Sequence, residues 1–188
     1  MDDPAEAKLW ARARANDGEA FGQLFDLHRD RVYRRALGLL ENQHDAEDVT
    51  AGAFFELWRK RRSVRLVAGS VLPWLLVTTV NLSRNLRRST SRYHRLLRAT
   101  TRRDAVDGPD AEPIETHDRL AVSLSQLGAV DGPLLVLTAL EGMPIAQAAD
   151  AVGVKPATAR VRLHRARARL RADLDDLNPS SRPAEGTN

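Results

Sequence analysis

Residues 145–170 read IAQAADAVGVKPATARVRLHRARARL, and the reading of this stretch decides the fold. Ile145, Ala148, Ala149 and Val152 recur at helical spacing, and the small residues among them let a second helix cross closely. Gly153-Val154 makes the turn, since glycine takes the left-handed backbone that closes a helix without a steric penalty. Pro156 then opens a second helix that should run to about Leu174. Ala159 and Leu163 fall on its inner side, whereas Arg160, Arg162, His164, Arg165 and Arg167 point outward. Between Lys155 and Arg171 there are seven basic residues and no acid. The expected motif is a helix-turn-helix, whose second helix enters the major groove of duplex DNA and reads base edges. The competing reading is an ordinary helical hairpin with a solvated basic face.

The rest of the chain repeats this charge placement. Net charge is only +4, but 26 Arg and 3 Lys make up the 29 basic residues. From Leu57 to Arg103 thirteen basic residues occur without one Asp or Glu. Between the two basic blocks lie Asp104, Asp107, Asp110, Glu112, Glu115 and Asp118, with no Lys or Arg among them. Two basic surfaces separated by an acidic segment suit a polyanion, and arginine favours bidentate contacts to phosphate and guanine. Gly108, Pro109 and Pro113 interrupt the acidic segment, which has no apolar period, so a flexible linker is expected.

The first half is also helical by pattern. Phe21, Leu24, Phe25, His28, Val32, Ala36, Leu39 and Leu40 form one apolar stripe. A second helix fits Asp45 to about Arg61, with Ala46, Val49, Ala53, Phe54, Leu57 and Trp58 inward, acids at its start and bases at its end. A third is expected from near Ser70 to about Tyr93, with Pro73 in its first turn. On it Trp74, Thr78, Asn81, Asn85, Arg88 and Arg92 share one face, while Leu72, Leu75, Leu76, Thr79, Leu82 and Leu86 lie broadly opposite and pack inward. A face of amides, arginines and one indole suits unpaired DNA, where stacking is worth about 1–3 kcal/mol per base. Trp74 is read first as a core residue closing the bundle and only second as a stacking ring, while the asparagines are equally simple solvent-facing residues. In the C-terminal half, Leu120, Leu124 and Leu127 suggest one helix, and Leu134, Leu135, Leu137, Thr138 and Leu140 another.

Several function classes drop out. No cysteine is present, which excludes a disulfide scaffold, a thiolate metal site and a cysteine nucleophile. His28, His44, His94, His117 and His164 are scattered, without metal-ligand spacing. Phosphate-binding loops and nucleophile elbows are missing, so no enzymatic chemistry and no cofactor are expected. No apolar run approaches a membrane span, and the acidic start MDDPAE lacks an apolar h-region, so neither membrane insertion nor secretion is expected. The cytoplasm is the expected compartment.

With these motifs in place, the chain resembles the extracytoplasmic-function (ECF) sigma factors of bacterial RNA polymerase. EGMPIAQAADAVGVKPATARVRLHRARARLRADL resembles their C-terminal domain, AFGQLFDLHRDRVYRRALGLLENQHDAEDVTAGAFFELWRKR the first half of their N-terminal domain, and PWLLVTTVNLSRNLRR its promoter-melting helix. The resemblance covers about residues 17–98 and 118–175, in the family's order. It implies an all-α fold of two small helical domains, an N-terminal helical bundle and a C-terminal helix-turn-helix domain, joined by the flexible acidic linker. The expected boundaries are 1–98, 99–117 for the linker, 118–176, and a disordered tail at 177–188.

By resemblance, Lys155, Thr158, Arg160, Val161, Arg162, His164, Arg165 and Arg167 contact the minus-35 duplex. Trp74, Asn81, Arg84, Asn85, Arg87 and Arg88, with the loop before their helix, contact the minus-10 element, the asparagines at bases and the arginines at backbone. Asp45, Glu47, Asp48, Phe54 and Trp58 would face core RNA polymerase. Ala51-Gly52 stand where the family has Gln-Glu, and the loop Ser63 to Gly69 is more apolar than usual. The implied partners are core RNA polymerase, promoter DNA and an anti-sigma factor. Two other classes stay open: a dimeric helix-turn-helix regulator acting without polymerase, and a protein-interaction module whose basic face binds an acidic partner.

Overall fold

The computed structural model describes residues 4–101 and 116–174, with side chains over 5–93 and 119–174. The acidic stretch from Asp104 to Glu115 and the tail from Asp175 onward lie outside the described residues, as does the expected flexibility of both. In chain order the helices are α1 (Pro4–Arg14), α2 (Gly18–Leu40), α3 (Gln43–Lys60), α4 (Leu72–Thr101), α5 (Thr116–Gln126), α6 (Asp131–Leu135), α7 (Ile145–Val152) and α8 (Pro156–Asp173). Among the described residues there is no strand, only one isolated bridge between Val67 and Ser70.

Four helices, α1–α4, build the N-terminal bundle. The stripe on α2 is buried as its period demands, at Leu24, His28, Val32, Ala36, Leu39 and Leu40, while Phe21 and Phe25 are half-buried. Asn42 caps α3 by accepting from the Asp45 N–H at 3.0 Å, so α3 starts two residues earlier than its acids suggest. Helix α4 begins at Leu72 and continues past Tyr93 to Thr101. Nothing in the sequence reading anticipated α1. Its inward residues are few and set among charges, and Trp10 and Ala13 carry it into the core with Leu24, Phe54, Val64, Val71 and Leu75.

The C-terminal half is a second helical unit. The expected second helix there is a short α6 that widens into a π-helical turn at Val136–Leu140, with the Glu141 N–H reaching back to the Val136 carbonyl at 3.1 Å. Gly153 closes α7 at φ 73°, and the Val154 N–H returns to the Ala149 carbonyl at 3.0 Å. Ala148 and Ala149 are fully buried against α8, which buries Ala159, Leu163, Ala166 and Leu170.

The two units dock on each other. Leu39 of α2 and Leu76 and Val80 of α4 belong to the same core as Leu124, Leu127, Leu134 and Leu137. Helix α4 is therefore apolar on two flanks, with Leu75 and Thr79 buried in the bundle and Leu76 and Val80 buried beneath the C-terminal unit. At the rim, the Glu141 carboxylate is 5% exposed and receives both Arg31 (2.8 Å) and Arg35 (2.5 Å) of α2.

Candidate nucleic-acid interface

Helix α8 presents its basic residues as the pattern requires. With Ala159, Leu163, Ala166 and Leu170 buried on one stripe, Lys155, Thr158, Arg160, Val161, His164, Arg165 and Arg167 are all exposed. Arg162 is the exception. It is half-buried, and its Nη1 donates to Asp131 Oδ1 at 2.8 Å, tying the helix to the start of α6. Val161 stands out as an apolar side chain, 50% exposed, in the middle of a polar face. Such a group is suited to the methyl of thymine, which is the apolar feature of the major groove.

On α4 the predicted residues divide. Asn85 is exposed, as an outer face implies, whereas Asn81 is half-buried with its Oδ1 enclosed. Trp74 is half-buried and packs on the bundle core, in line with its structural reading. The arginines are all tied to backbone carbonyls, Arg84 and Arg87 half-buried and Arg88 exposed. Arg84 Nη1 donates to the Leu127 carbonyl (3.3 Å), Arg88 Nε to the Ser125 carbonyl (3.2 Å), and Arg87 Nε to the Leu39 carbonyl (2.7 Å). Burial, and behind it the nearby Arg88 charge, lowers the Arg84 pKa from its ordinary value. Asn81 Oδ1 and Arg84 Nε are buried without a hydrogen-bond partner.

The third surface lies along α2 and α3. Glu47 and Asp48 are exposed and Asp45 half-buried at the start of α3. Phe54 is 3% exposed and belongs to the core, whereas its neighbour Phe55 is 63% exposed. Trp58 is half-buried, edge-on to Phe21 at 5.0 Å and covered by the Arg61 guanidinium at 4.2 Å. With Phe25, these rings line an open apolar groove floored by Ala51 and Gly18. Gly52 does not share that surface: a Cβ there would touch the Leu82 side chain at 3.4 Å, so Gly52 faces α4. Sequence reasoning passed over Phe55 because the helical period puts Phe54 inward and says nothing of which neighbour stays uncovered.

Comparison with known proteins agrees with this anatomy. Residues 24–93 match the family model for Sigma-70 region 2, and residues 118–170 match that for Sigma-70, region 4. The chain is 31% identical over 186 residues to the RNA polymerase sigma factor NccH of Alcaligenes xylosoxydans xylosoxydans, covering 93% of this chain and 97% of that protein. The chain belongs to the ECF sigma factors. It is also 34% identical over 160 residues to the ECF RNA polymerase sigma factor SigE of Mycolicibacterium smegmatis, of whose length the match spans 60%. Among solved structures it is similar to CnrH in complex with the cytosolic domain of CnrY, at a TM-score of 0.60 and 25% identity, over 93% of this chain and 99% of that one. As an ECF sigma factor the protein directs RNA polymerase to promoters, and no match supports the alternative of a free-standing dimeric regulator. Among the described residues no helix is long and apolar enough to cross a membrane.

Proposed function

We propose that this sigma factor divides its work among three surfaces, in units bounded at 1–98 and 118–176 with the linker between. The outer face of α8 reads the minus-35 duplex: Thr158, Arg160, Val161, His164 and Arg165 at base edges, Lys155 and Arg167 at phosphates, and Arg162 through its hold on Asp131. Asn81 and Asn85 of α4 take unpaired minus-10 bases, with Arg84, Arg87 and Arg88 on the backbone. Asp45, Glu47, Asp48, Phe55 and Trp58 meet core RNA polymerase, Phe54 supporting them from below. The protein acts in the cytoplasm as a non-enzymatic initiation factor. CnrH is solved with the cytosolic domain of CnrY, and an anti-sigma partner is proposed here by analogy.

The observation that carries this reading is the run of exposed arginines on α8, opposite a buried stripe of small and aliphatic residues. A second observation adds a condition. Arg84 and Arg88 are spent on carbonyls of the C-terminal unit while the two units are docked, so their engagement of minus-10 DNA requires the units to separate, whereas Arg87 is held by Leu39 of its own bundle. Arg84 Nε is buried without a partner beside Ala121, Leu124 and Ser125 of the C-terminal unit, and an orphaned polar group costs about 1–3 kcal/mol. Run-off transcription with purified core polymerase tests the function: promoter-dependent transcripts with this protein and none without it are expected. In the same assay Asn81→Ala with Asn85→Ala should abolish thymine reactivity to permanganate at the minus-10 element while leaving minus-35 binding in place.

A further inference from the structure

Helix α1 precedes the stretch that matches region 2, residues 24–93, yet it grips the loop that leads into α4 at both ends. At the far end, one oxygen of Glu6, Oε1, accepts from Ser70 Oγ (2.9 Å), the Val71 N–H (2.8 Å) and His28 Nε2 (2.8 Å). Ser70 Oγ in turn accepts from the Leu72 N–H at 3.0 Å, so the same contact caps the start of α4. At the near end, Arg14 Nη2 donates to the Arg62 carbonyl (3.2 Å), and Arg61 donates to Asn16 Oδ1 in the turn that follows α1.

Between these grips the loop turns through Ala68 (φ 50°) and Gly69 (φ 74°), with Val67 and Ser70 exchanging backbone hydrogen bonds at 3.0 and 3.1 Å. Ala68 sits in a conformation that a residue with a Cβ adopts only when its surroundings impose it. Val64, Val67 and Val71 anchor the loop in the core, while Arg65 is exposed and Ala68 and Gly69 are half-buried. Glu6 itself is 4% exposed, which is unusual for a carboxylate unless it is paired, and here one oxygen takes all three donors.

We propose that Glu6 is a positioning residue, and that α1 is the splint which holds the 63–71 loop in the shape that receives an unpaired minus-10 base. The inference rests on the reading of that loop and of α4 as the minus-10 surface. Removing the Glu6 carboxylate orphans the buried Val71 N–H and unties Ser70 Oγ, which receives the first N–H of α4, and the strained turn relaxes. The loop then pays to re-form its shape each time a base arrives.

Holoenzyme, assembled from core polymerase and this chain, provides the test. The probes are a single-stranded DNA oligonucleotide and a minus-35 duplex, each selected from a random-sequence pool by the wild-type holoenzyme. Glu6→Ala should weaken the single strand about tenfold, the scale of one orphaned buried donor, and leave duplex affinity and core assembly within about twofold of wild type. Glu6→Gln keeps an oxygen for Val71 and Ser70 and should bind the strand nearly as wild type. Arg14→Ala, an exposed change at the other grip, should give a smaller loss of the same kind. Amide exchange at Val71 in the free chain should quicken at least tenfold in Glu6→Ala. Wild-type binding of the strand by Glu6→Ala, or a parallel loss of strand, duplex and core binding, overturns the proposal. A wild-type holoenzyme that selects no single strand overturns the minus-10 reading itself, and unchanged Val71 exchange then overturns the splint separately.

Discussion

Helices α4 and α8 look alike as sequence, both long and arginine-rich, with no acid on α4 and none on α8 before its last residue, Asp173, yet they spend their arginines in opposite ways. On α8 one stripe is buried and Arg160, Arg165 and Arg167 stand in solvent. On α4 two flanks are buried, and Arg84, Arg87 and Arg88 are turned onto backbone carbonyls of Leu127, Leu39 and Ser125. A basic helix with one apolar stripe is a surface ready for its ligand. One with two apolar flanks is a hinge plate, available only after something has been taken away. The charge of a helix therefore says what it suits, while its count of buried flanks says when it is available.

The largest effects should come from adjacent leucines on α4. Leu75→Ala removes a fully buried side chain from the bundle and should cost about 2–5 kcal/mol of global stability in urea unfolding. Leu76→Ala, one residue on, sits in the core shared with the C-terminal unit, and part of its cost should appear as separation of the units, read by energy transfer between labels on α2 and α8. If the two variants behaved alike by both measures, the two-flank description of α4 would fail.

Next in size are the arginines themselves. Arg160→Ala should cost about 1–3 kcal/mol of minus-35 binding and relax choice at particular bases, measured on mutated sites. Arg167→Ala should weaken all sequences about equally and flatten the salt dependence. Arg88→Ala should leave minus-35 binding unchanged and lower open-complex formation. An effect of Arg88 on duplex affinity in the isolated chain would erase the contrast between the helices.

Glu141 sharpens the comparison from the other side. Glu141→Gln keeps the shape but removes the charge that Arg31 and Arg35 share, and should weaken docking by about 1–2 kcal/mol, since Arg31 is half exposed and screened. More open molecules and tighter binding of single-stranded DNA by the free chain are the expected readouts.

The smallest effect concerns acid. Burial raises the Glu6 pKa, but the hydrogen bonds from His28, Val71 and Ser70 outweigh it and hold the carboxyl below its ordinary 4.5. A depressed carboxylate stabilises the fold fully above its unfolded value and loses that contribution as pH falls through the lower folded one. The gap in stability between wild type and Glu6→Gln should therefore be constant from neutral pH to about 5 and shrink below 4.5. It should show at the start of α4 and not at α8, whose first turn has Pro156 and no side-chain cap.

Much of this was legible before any coordinates. Period and turn chemistry placed α2, α3, α7 and α8, because each carries one apolar stripe and the last two are bounded by residues with strong local preferences, Gly153 and Pro156, while the Asn42 cap that starts α3 two residues early went unread. The outward set on α8 followed from the same stripe, and Arg162 departed from it only because Asp131, distant in sequence, lies beside it. Helix α1 was missed because three inward residues among charges make too faint a period, and it is the long-range fit of Trp10 that commits it.

By itself, then, the sequence determined the helical class, the helix-turn-helix and the Arg-rich faces, since these depend on spacings within about twenty residues and on backbone preferences. Only the tertiary structure decided that Leu76 and Val80 bury against the other half of the chain, that Glu141 holds two arginines of α2, and that Glu6 reaches across to Val71. Partners separated by so many residues meet through the net balance of burial, orphaned polar groups and chain entropy, and no local pattern records that balance.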